Sequence, residues 1–128
     1  LSGGFDCQYT TPLSSGRTFI RTAMQVSIGD SECIDYVRVR RRWSKYSACL
    51  GVFPPPGRVV SYDINAAYRV PEVKHVFVRV TPGDVITGYQ DCAARPAFVI
   101  TQADSYDMAL ESAREGVRAL NIMTERLL

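Results

Sequence analysis

The stretch Val73-Lys74-His75-Val76-Phe77-Val78-Arg79-Val80 decides the fold, because apolar and other residues alternate along it. Alternation with a period of two predicts a β-strand that has one buried face. The valines of its second half share one face of this strand, and His75, Phe77 and Arg79 share the other.

The chain that follows this strand continues in the same β pattern. Thr81-Pro82-Gly83-Asp84 predicts a turn, since proline presets φ and glycine takes the strained corner. Val85-Ile86 predicts a short strand, and residues 97–101 predict the last strand.

A long helix is predicted after that last strand. Asp104 or Ser105 can cap its first turn. Apolar residues then recur at helical spacing, at Tyr106, Ala109, Leu110, Ala113, Val117 and Leu120. Burial of this stripe against the sheet predicts an α+β fold: a mainly antiparallel sheet with a long C-terminal helix packed on it.

Two more strands are predicted on the N-terminal side of residue 73. Residues 46–53 and residues 58–64 each read as a strand, and Pro54-Pro55-Pro56-Gly57 separates them. Residues 31–42 fit either a short helix or a strand, and we favour a short helix or turn that leads into an extended basic segment.

The first 30 residues predict a loop followed by a helix. Residues 1–13 read as a loop with one short strand. Residues 17–28 have helical spacing, with a cap in Ser14-Ser15-Gly16 and a stop at Gly29.

Composition sets broad limits on function. The 128 residues suit one domain, and 46% hydrophobic with 22% charged residues is typical of a globular protein. A net charge of +2 is too small to argue for nucleic acid on its own, and we do not expect nucleic acid as a partner. No apolar run has the roughly 20 residues that a membrane span needs. The four cysteines form no close pair, which predicts reduced thiols in a cytoplasmic protein rather than a zinc site.

One basic cluster offers an alternative function. Arg38-Val39-Arg40-Arg41-Arg42-Trp43 combines guanidinium groups with an aromatic ring, so Arg40, Arg41, Arg42 and Trp43 could bind RNA or an anionic partner. A solvated surface segment explains the same residues. His75 has no partner at a recognisable spacing, and we assign no catalytic residue and no metal ligand in this chain.

The chain starts with Leu1-Ser2-Gly3-Gly4-Phe5, a tight glycine loop whose first half we expect to lie upstream. This loop, Gln8-Tyr9-Thr10-Thr11-Pro12 and the helix at residues 17–28 resemble the end of the ATP-grasp domain in carboxylate–amine ligases. That superfamily includes biotin carboxylase, carbamoyl phosphate synthase and the L-amino acid ligases. The segments 53–59, 76–84 and 95–100 with the closing helix resemble the small C-terminal domain of the L-amino acid ligase type.

The resemblance implies two parts and a mechanism. Residues 1–30 would be the tail of an ATP-grasp domain, and residues 31–128 a small C-terminal ligase domain. The parent enzyme would use ATP and Mg²⁺ to phosphorylate a carboxylate that an amine then attacks. Its ATP and metal ligands would lie upstream of Leu1, so this chain alone would be inactive and bind no cofactor.

The resemblance also implies partners and a site. The partners would be the upstream ATP-grasp domain and small carboxylate and amine substrates. We expect no membrane as a partner, and the protein could form a homodimer. Ser2, Gly3 and Gly4 would contribute backbone N–H groups to the substrate pocket. One departure concerns the last strand: Arg95 is followed by Pro96-Ala97-Phe98, where the family has a glycine and an aromatic residue, so its register is open.

Overall fold

The computed structural model describes residues 5–30, 32, 34, 44–90 and 94–127. They form an α+β fold with two small antiparallel sheets and a long helix near the C-terminus. The predicted fold class is confirmed. The basic segment 35–43 lies outside the described residues.

Sheet 1 has the strand order β1-β5-β3, with β1 at Tyr46–Val52, β3 at Val73–Val78 and β5 at Ala97–Ala103. Both outer strands run antiparallel to β5, and Phe77 lies opposite Phe98. The open register of the last strand is thereby fixed: the Arg79 N–H donates to the carbonyl of Pro96 at 2.8 Å, and pairing starts at Ala97.

Sheet 2 has the order β4-β2-β6, with β2 at Gly57–Ser61, β4 at Val85–Ile86 and β6 at Met123–Glu125. The sequence did not predict strand β6. It passes so close to β2 that a Cβ on Gly57 would collide with the carbonyl oxygen of Glu125, which explains the glycine after the three prolines.

The α-helices that accompany the sheets include α1 at Thr11–Ser15, α2 at Phe19–Ser27, α3 at Ile64–Tyr68 and α4 at Tyr106–Leu120. Glu32 and Ile34 are also helical. Helix α3 replaces the end of a predicted strand, because the Asp63 carboxylate accepts from the Ala66 N–H at 2.8 Å and caps a helical turn. The predicted cap of α4 is confirmed at Ser105.

The N-terminal region is more helical than predicted. A π-helical turn, Asp6–Thr10, leads directly into α1, where a loop with a short strand was expected. Hydroxyl groups support this geometry: Ser14 Oγ donates to the carbonyl of Thr10 at 2.9 Å, and Ser15 Oγ donates to that of Thr11. Helix α2 ends at Ser27 with Ile28 as its C-cap, and Gly29 follows with a φ of 84°, the left-handed conformation predicted for the stop.

The core lies between sheet 1, α4 and sheet 2. It consists of small and branched residues: Val52, Val59, Ala67, Val70, Val73, Ile86, Ala97, Val99, Leu120 and Ile122. Helix α4 approaches sheet 1 closely, since a Cβ on Gly116 would lie 2.8 Å from Val99 Cγ1 and 3.0 Å from Val73 Cγ2. The opposite face of sheet 1 packs against a different part of the chain.

Candidate functional site

The face of sheet 1 that points away from α4 carries its larger and more polar side chains. Because side chains alternate along a strand, His75 and Phe77 of β3 share this face, as the sequence predicted, and Arg79 follows directly after the strand. Phe98 lies beside Phe77 on the neighbouring strand. The π turn and α1 cover this face, and the side-chain amide of Gln102 donates to the carbonyl of Leu13 at 2.5 Å.

Five rings form an aromatic cluster where the π turn meets the sheet: Phe5, Tyr9, His75, Phe77 and Phe98. The Phe5 ring stacks on Phe77 with centroids 4.5 Å apart and an interplanar angle of 9°. It meets Phe98 edge-on at 4.9 Å. The centre of the Tyr9 ring lies 4.8 Å from that of His75 and 5.0 Å from that of Phe77. The cluster therefore joins the first described residue to the centre of the sheet.

Two arginines border the aromatic cluster. The guanidinium carbon of Arg79 lies 5.8 Å from the Phe98 ring centre, and that of Arg95 lies 5.9 Å from the same centre. Both distances fall within the range of cation–π attraction. The arrangement places positive charge next to the ring that supports Phe5.

Cys49 lies on the same face of β1, opposite Ile100 of β5. Burial raises the pKa of the Cys49 thiol, and the Asp6 carboxylate raises it further, while Arg95 acts in the opposite direction. A raised pKa favours the neutral thiol, which is a poor nucleophile and a poor metal ligand. This environment points to a packed thiol rather than a reactive one.

A groove of about 500 Å³ lies between the π turn and α2. Ile20 and Met24 of α2 and Ile28 at its C-cap form the apolar wall, since they follow one another at intervals of four residues. Gln8 and Arg21 contribute polar groups. The volume is in the range of small-molecule pockets, and the groove is open to solvent on one side.

The site residues chosen from the sequence are outside the part of the chain that the structure describes. Ser2, Gly3 and Gly4 are outside the described residues, although Gly4 is bonded directly to Phe5. Arg38 to Arg42 and Trp43 are also outside, so the RNA-binding alternative stays a prediction. Sequence reasoning missed the aromatic cluster: the alternation in β3 predicts a shared face for His75 and Phe77, but nothing local predicts that Phe5 packs there.

Across residues 5–30, 44–90 and 94–127, no group of three or more His, Cys, Asp or Glu side chains could hold a metal ion. Among these same residues, no helix is long and apolar enough to cross a membrane.

One comparison with known proteins identifies a family, and another identifies a shared fold. Residues 51–125 match the family model described as L-amino acid ligase C-terminal domain 2. The crystal structure of an L-amino acid ligase from Bacillus licheniformis has the same fold over 98% of this chain, with a TM-score of 0.76 and 21% sequence identity. The chain spans 31% of the length of that protein. No curated protein sequence gives a significant match.

Proposed function

The chain belongs to the L-amino acid ligase C-terminal domain 2 family, and on this premise we propose that it is the C-terminal part of an ATP-dependent carboxylate–amine ligase. The match of residues 51–125 carries the proposal, and the common fold over 98% of the chain supports it. In this reading residues 1–30 are the tail of an ATP-grasp domain, and residues 31–128 are the small C-terminal ligase domain.

The proposed reaction activates a carboxylate as an acyl phosphate, which a small amine then attacks. ATP supplies the phosphoryl group and Mg²⁺ neutralises its charge. The described residues do not offer a ligand set for Mg²⁺, so we assign both to a preceding ATP-grasp domain. The role proposed for this chain is to present the backbone N–H groups of Ser2, Gly3 and Gly4 to an anionic group of the substrate.

The surface of α2 supports a preceding domain as partner. Phe19 and Met24 of this helix are 53% and 66% exposed, and Ile28 at its C-cap is 82% exposed. Large exposed apolar patches of this kind mark interfaces. We expect the ATP-grasp domain to cover α2, within a cytoplasmic enzyme that could also form a homodimer.

The test compares residues 1–128 with the full-length protein that contains them. The full-length protein is expected to release ADP and phosphate and to form an amide when ATP, Mg²⁺ and amino acids are supplied. Residues 1–128 alone are expected to show no Mg²⁺-dependent ATP binding by calorimetry. Micromolar ATP binding by residues 1–128 would contradict the proposal.

The residues encoded before Leu1 provide a second test. A carboxylate and an asparagine in the pattern Glu-x-Asn-x-Arg are expected immediately upstream, because that segment carries the metal ligands in ATP-grasp enzymes. A different sequence at that point would remove the assignment of Ser2, Gly3 and Gly4 to the substrate pocket.

A further inference from the structure

The groove between the π turn and α2 has a chemistry that the reaction described above does not use. Of the described residues that line it, Arg21 alone carries a charge at neutral pH. Beyond the function proposed above, and independently of it, we propose that this groove binds a small aliphatic carboxylate. The carboxylate lies at Arg21, and the aliphatic chain lies along α2.

Arg21 provides the charge that a carboxylate needs. It is exposed on α2, and within the described residues its guanidinium makes no ion pair, whereas Arg58, Arg114 and Arg118 each pair with a glutamate. No Asp or Glu is among the described residues that line the groove. A guanidinium group binds a carboxylate through two parallel N–H···O hydrogen bonds. The groove is therefore suited to an occupant with a single negative charge.

The apolar wall beside Arg21 is suited to an aliphatic chain. Ile20, Met24 and Ile28 follow one another along this side of the groove. Met24 is 66% exposed and Ile28 is 82% exposed, so an aliphatic chain that covers them removes apolar surface from water. The volume of about 500 Å³ leaves room for a branched chain of several carbons.

The wall opposite α2 is held in place by other parts of the fold. Tyr9 lines the groove, and its ring packs against His75 and Phe77 of sheet 1. Pro12 of α1 also lines the groove, and its carbonyl accepts the N–H of Gly16 at 2.8 Å. A wall that is already ordered lowers the entropic cost of binding a ligand.

A second face of α2 remains for contact with a preceding domain. Phe19 and Val26 are seven residues apart, so they share one face of the helix, and they are 53% and 49% exposed. Neither of them lines the groove. At about 100° per residue, their face points well away from Ile20 and Met24. A domain packed on Phe19 and Val26 leaves the groove at its boundary, where small-molecule sites often occur.

The methionines of the chain provide a direct test. Of the three, Met24 lines the groove, whereas Met108 lies in α4 and Met123 in β6. Residues 1–128 with ¹³C-labelled methionine methyl groups are titrated with 4-methylpentanoate and followed by NMR. We expect the Met24 signal to shift with a Kd of about 1 mM, since the ligand is small and the groove is open. The signals of Met108 and Met123 should stay in place, and a shift of all three signals or of none overturns the inference.

Two related ligands separate the charge from the aliphatic chain in the unmodified protein. 4-Methylpentanamide keeps the chain but loses the charge, so its affinity should be at least about 10-fold lower. Butanoate keeps the charge but has a shorter chain, and it should bind roughly 5- to 15-fold more weakly, because each buried methylene contributes about fourfold. Equal affinities of the acid and the amide, or of the two acids, overturn the inference.

Matched variants locate the two contacts. Arg21→Gln should lower the affinity for 4-methylpentanoate at least about 10-fold. Arg69→Gln removes the same charge from an exposed site after α3 that does not line the groove, and it should bind like the unmodified protein. Ile28→Gln should weaken binding about threefold, whereas Val26→Gln should not. Equal losses in Arg21→Gln and Arg69→Gln would mean that net charge alone attracts the ligand, which overturns the inference.

The full-length protein distinguishes a bound carboxylate from a protein segment as the occupant. We expect its Met24 signal, identified by its absence in Met24→Gln, to shift with 4-methylpentanoate in the absence of ATP. A Met24 signal that shifts in residues 1–128 but not in the full-length protein would mean that the preceding domain occupies the groove. That result overturns this inference and leaves the proposed ligase function intact. A full-length protein that binds 4-methylpentanoate at Met24 but lacks ATP-dependent ligase activity overturns only the proposed function.

Discussion

The two faces of sheet 1 are packed on different principles. The face against α4 uses small and branched residues, and the helix comes so near that Gly116 has no room for a Cβ. The opposite face uses rings, arginines and a thiol, and it holds the segment before the π turn through ring contacts and α1 through one amide hydrogen bond. Close backbone packing holds α4 on one face, whereas contacts between aromatic rings hold Phe5 and Tyr9 on the other.

The close-packed face should be the more sensitive to added volume. In Gly116→Val the new Cβ would press against Val99, which is fully buried and cannot move aside. We expect the free energy of unfolding to fall by about 3 kcal/mol, at the upper end for overpacking. Urea denaturation of Glu115→Val, an exposed site on the same helix, provides the control and should lose well under about 1 kcal/mol. Equal losses at the two sites would mean that α4 can move away from the sheet.

The aromatic face should tolerate loss of a ring better. Phe77→Leu removes the stacked contact with Phe5 but leaves an apolar side chain, so we expect a loss of about 1–2 kcal/mol. Hydrogen exchange should accelerate selectively in residues 6–15, which rest on this face, while α4 stays protected. The control is Tyr106→Leu, whose ring is mostly exposed. Faster exchange throughout α4 would show that the two faces do not act independently.

One buried hydroxyl group, that of Thr101, adds a polar contact to the close-packed face of sheet 1. Thr101 is 0% exposed, and its Oγ1 donates to the carbonyl of Ala109 at 2.7 Å, which ties β5 to α4. Thr101→Val keeps the shape but loses this bond, so we expect a loss of about 1 kcal/mol in chemical denaturation. Thr101→Ser retains the donor and lacks only a methyl group. A larger loss in Thr101→Ser than in Thr101→Val would assign the effect to packing.

The smallest expected effect concerns the reactivity of the Cys49 thiol, which lies on the aromatic face of sheet 1. Because burial and Asp6 raise the pKa of Cys49, its alkylation by iodoacetamide should stay slow at pH 8 and accelerate only at higher pH. Asp6→Asn should speed this reaction severalfold at fixed pH, whereas Asp104→Asn should leave it unchanged. Mass spectrometry of the peptide that contains Cys49 separates it from the other cysteines. Slower alkylation in Asp6→Asn would contradict the assigned electrostatics.

The raised pKa of Cys49 also determines how the stability of the protein changes with pH. A group whose folded pKa is raised contributes stability that is fully present below its unfolded pKa and is lost as the pH rises through the folded value. The contribution of Cys49 is therefore present at neutral pH and disappears in the alkaline range. Cys49→Ser, which does not titrate there, should flatten the alkaline end of the stability profile.

Local patterns explain which elements were predictable. The alternation in β3 and the capped apolar stripe of α4 predict their own structure, because burial and hydrogen bonding follow directly from those residues. The order of these motifs was also enough to indicate the family that the comparisons show.

Elements that depend on distant partners were not predictable. The hydroxyl-rich stretch with Pro12 favours a loop by local propensity, yet packing on sheet 1 makes residues 6–15 helical. Strand β6 exists because β2 lies beside it, and the aromatic cluster exists because Phe5 meets a strand about 70 residues further along the chain. The same reason applies to the candidate site, whose supporting rings come from three separate segments.

The pairing of β2 with β6 also dictates an order of assembly. Arg58 lies opposite Glu125, so β2 leaves the ribosome long before its partner is synthesised. Such distant pairing carries a high loop-closure cost and slows folding. Until residue 125 emerges, β2 exposes an unpaired edge that other nascent chains could bind, and the three prolines that precede it, which lack N–H donors, limit how far such an edge can extend.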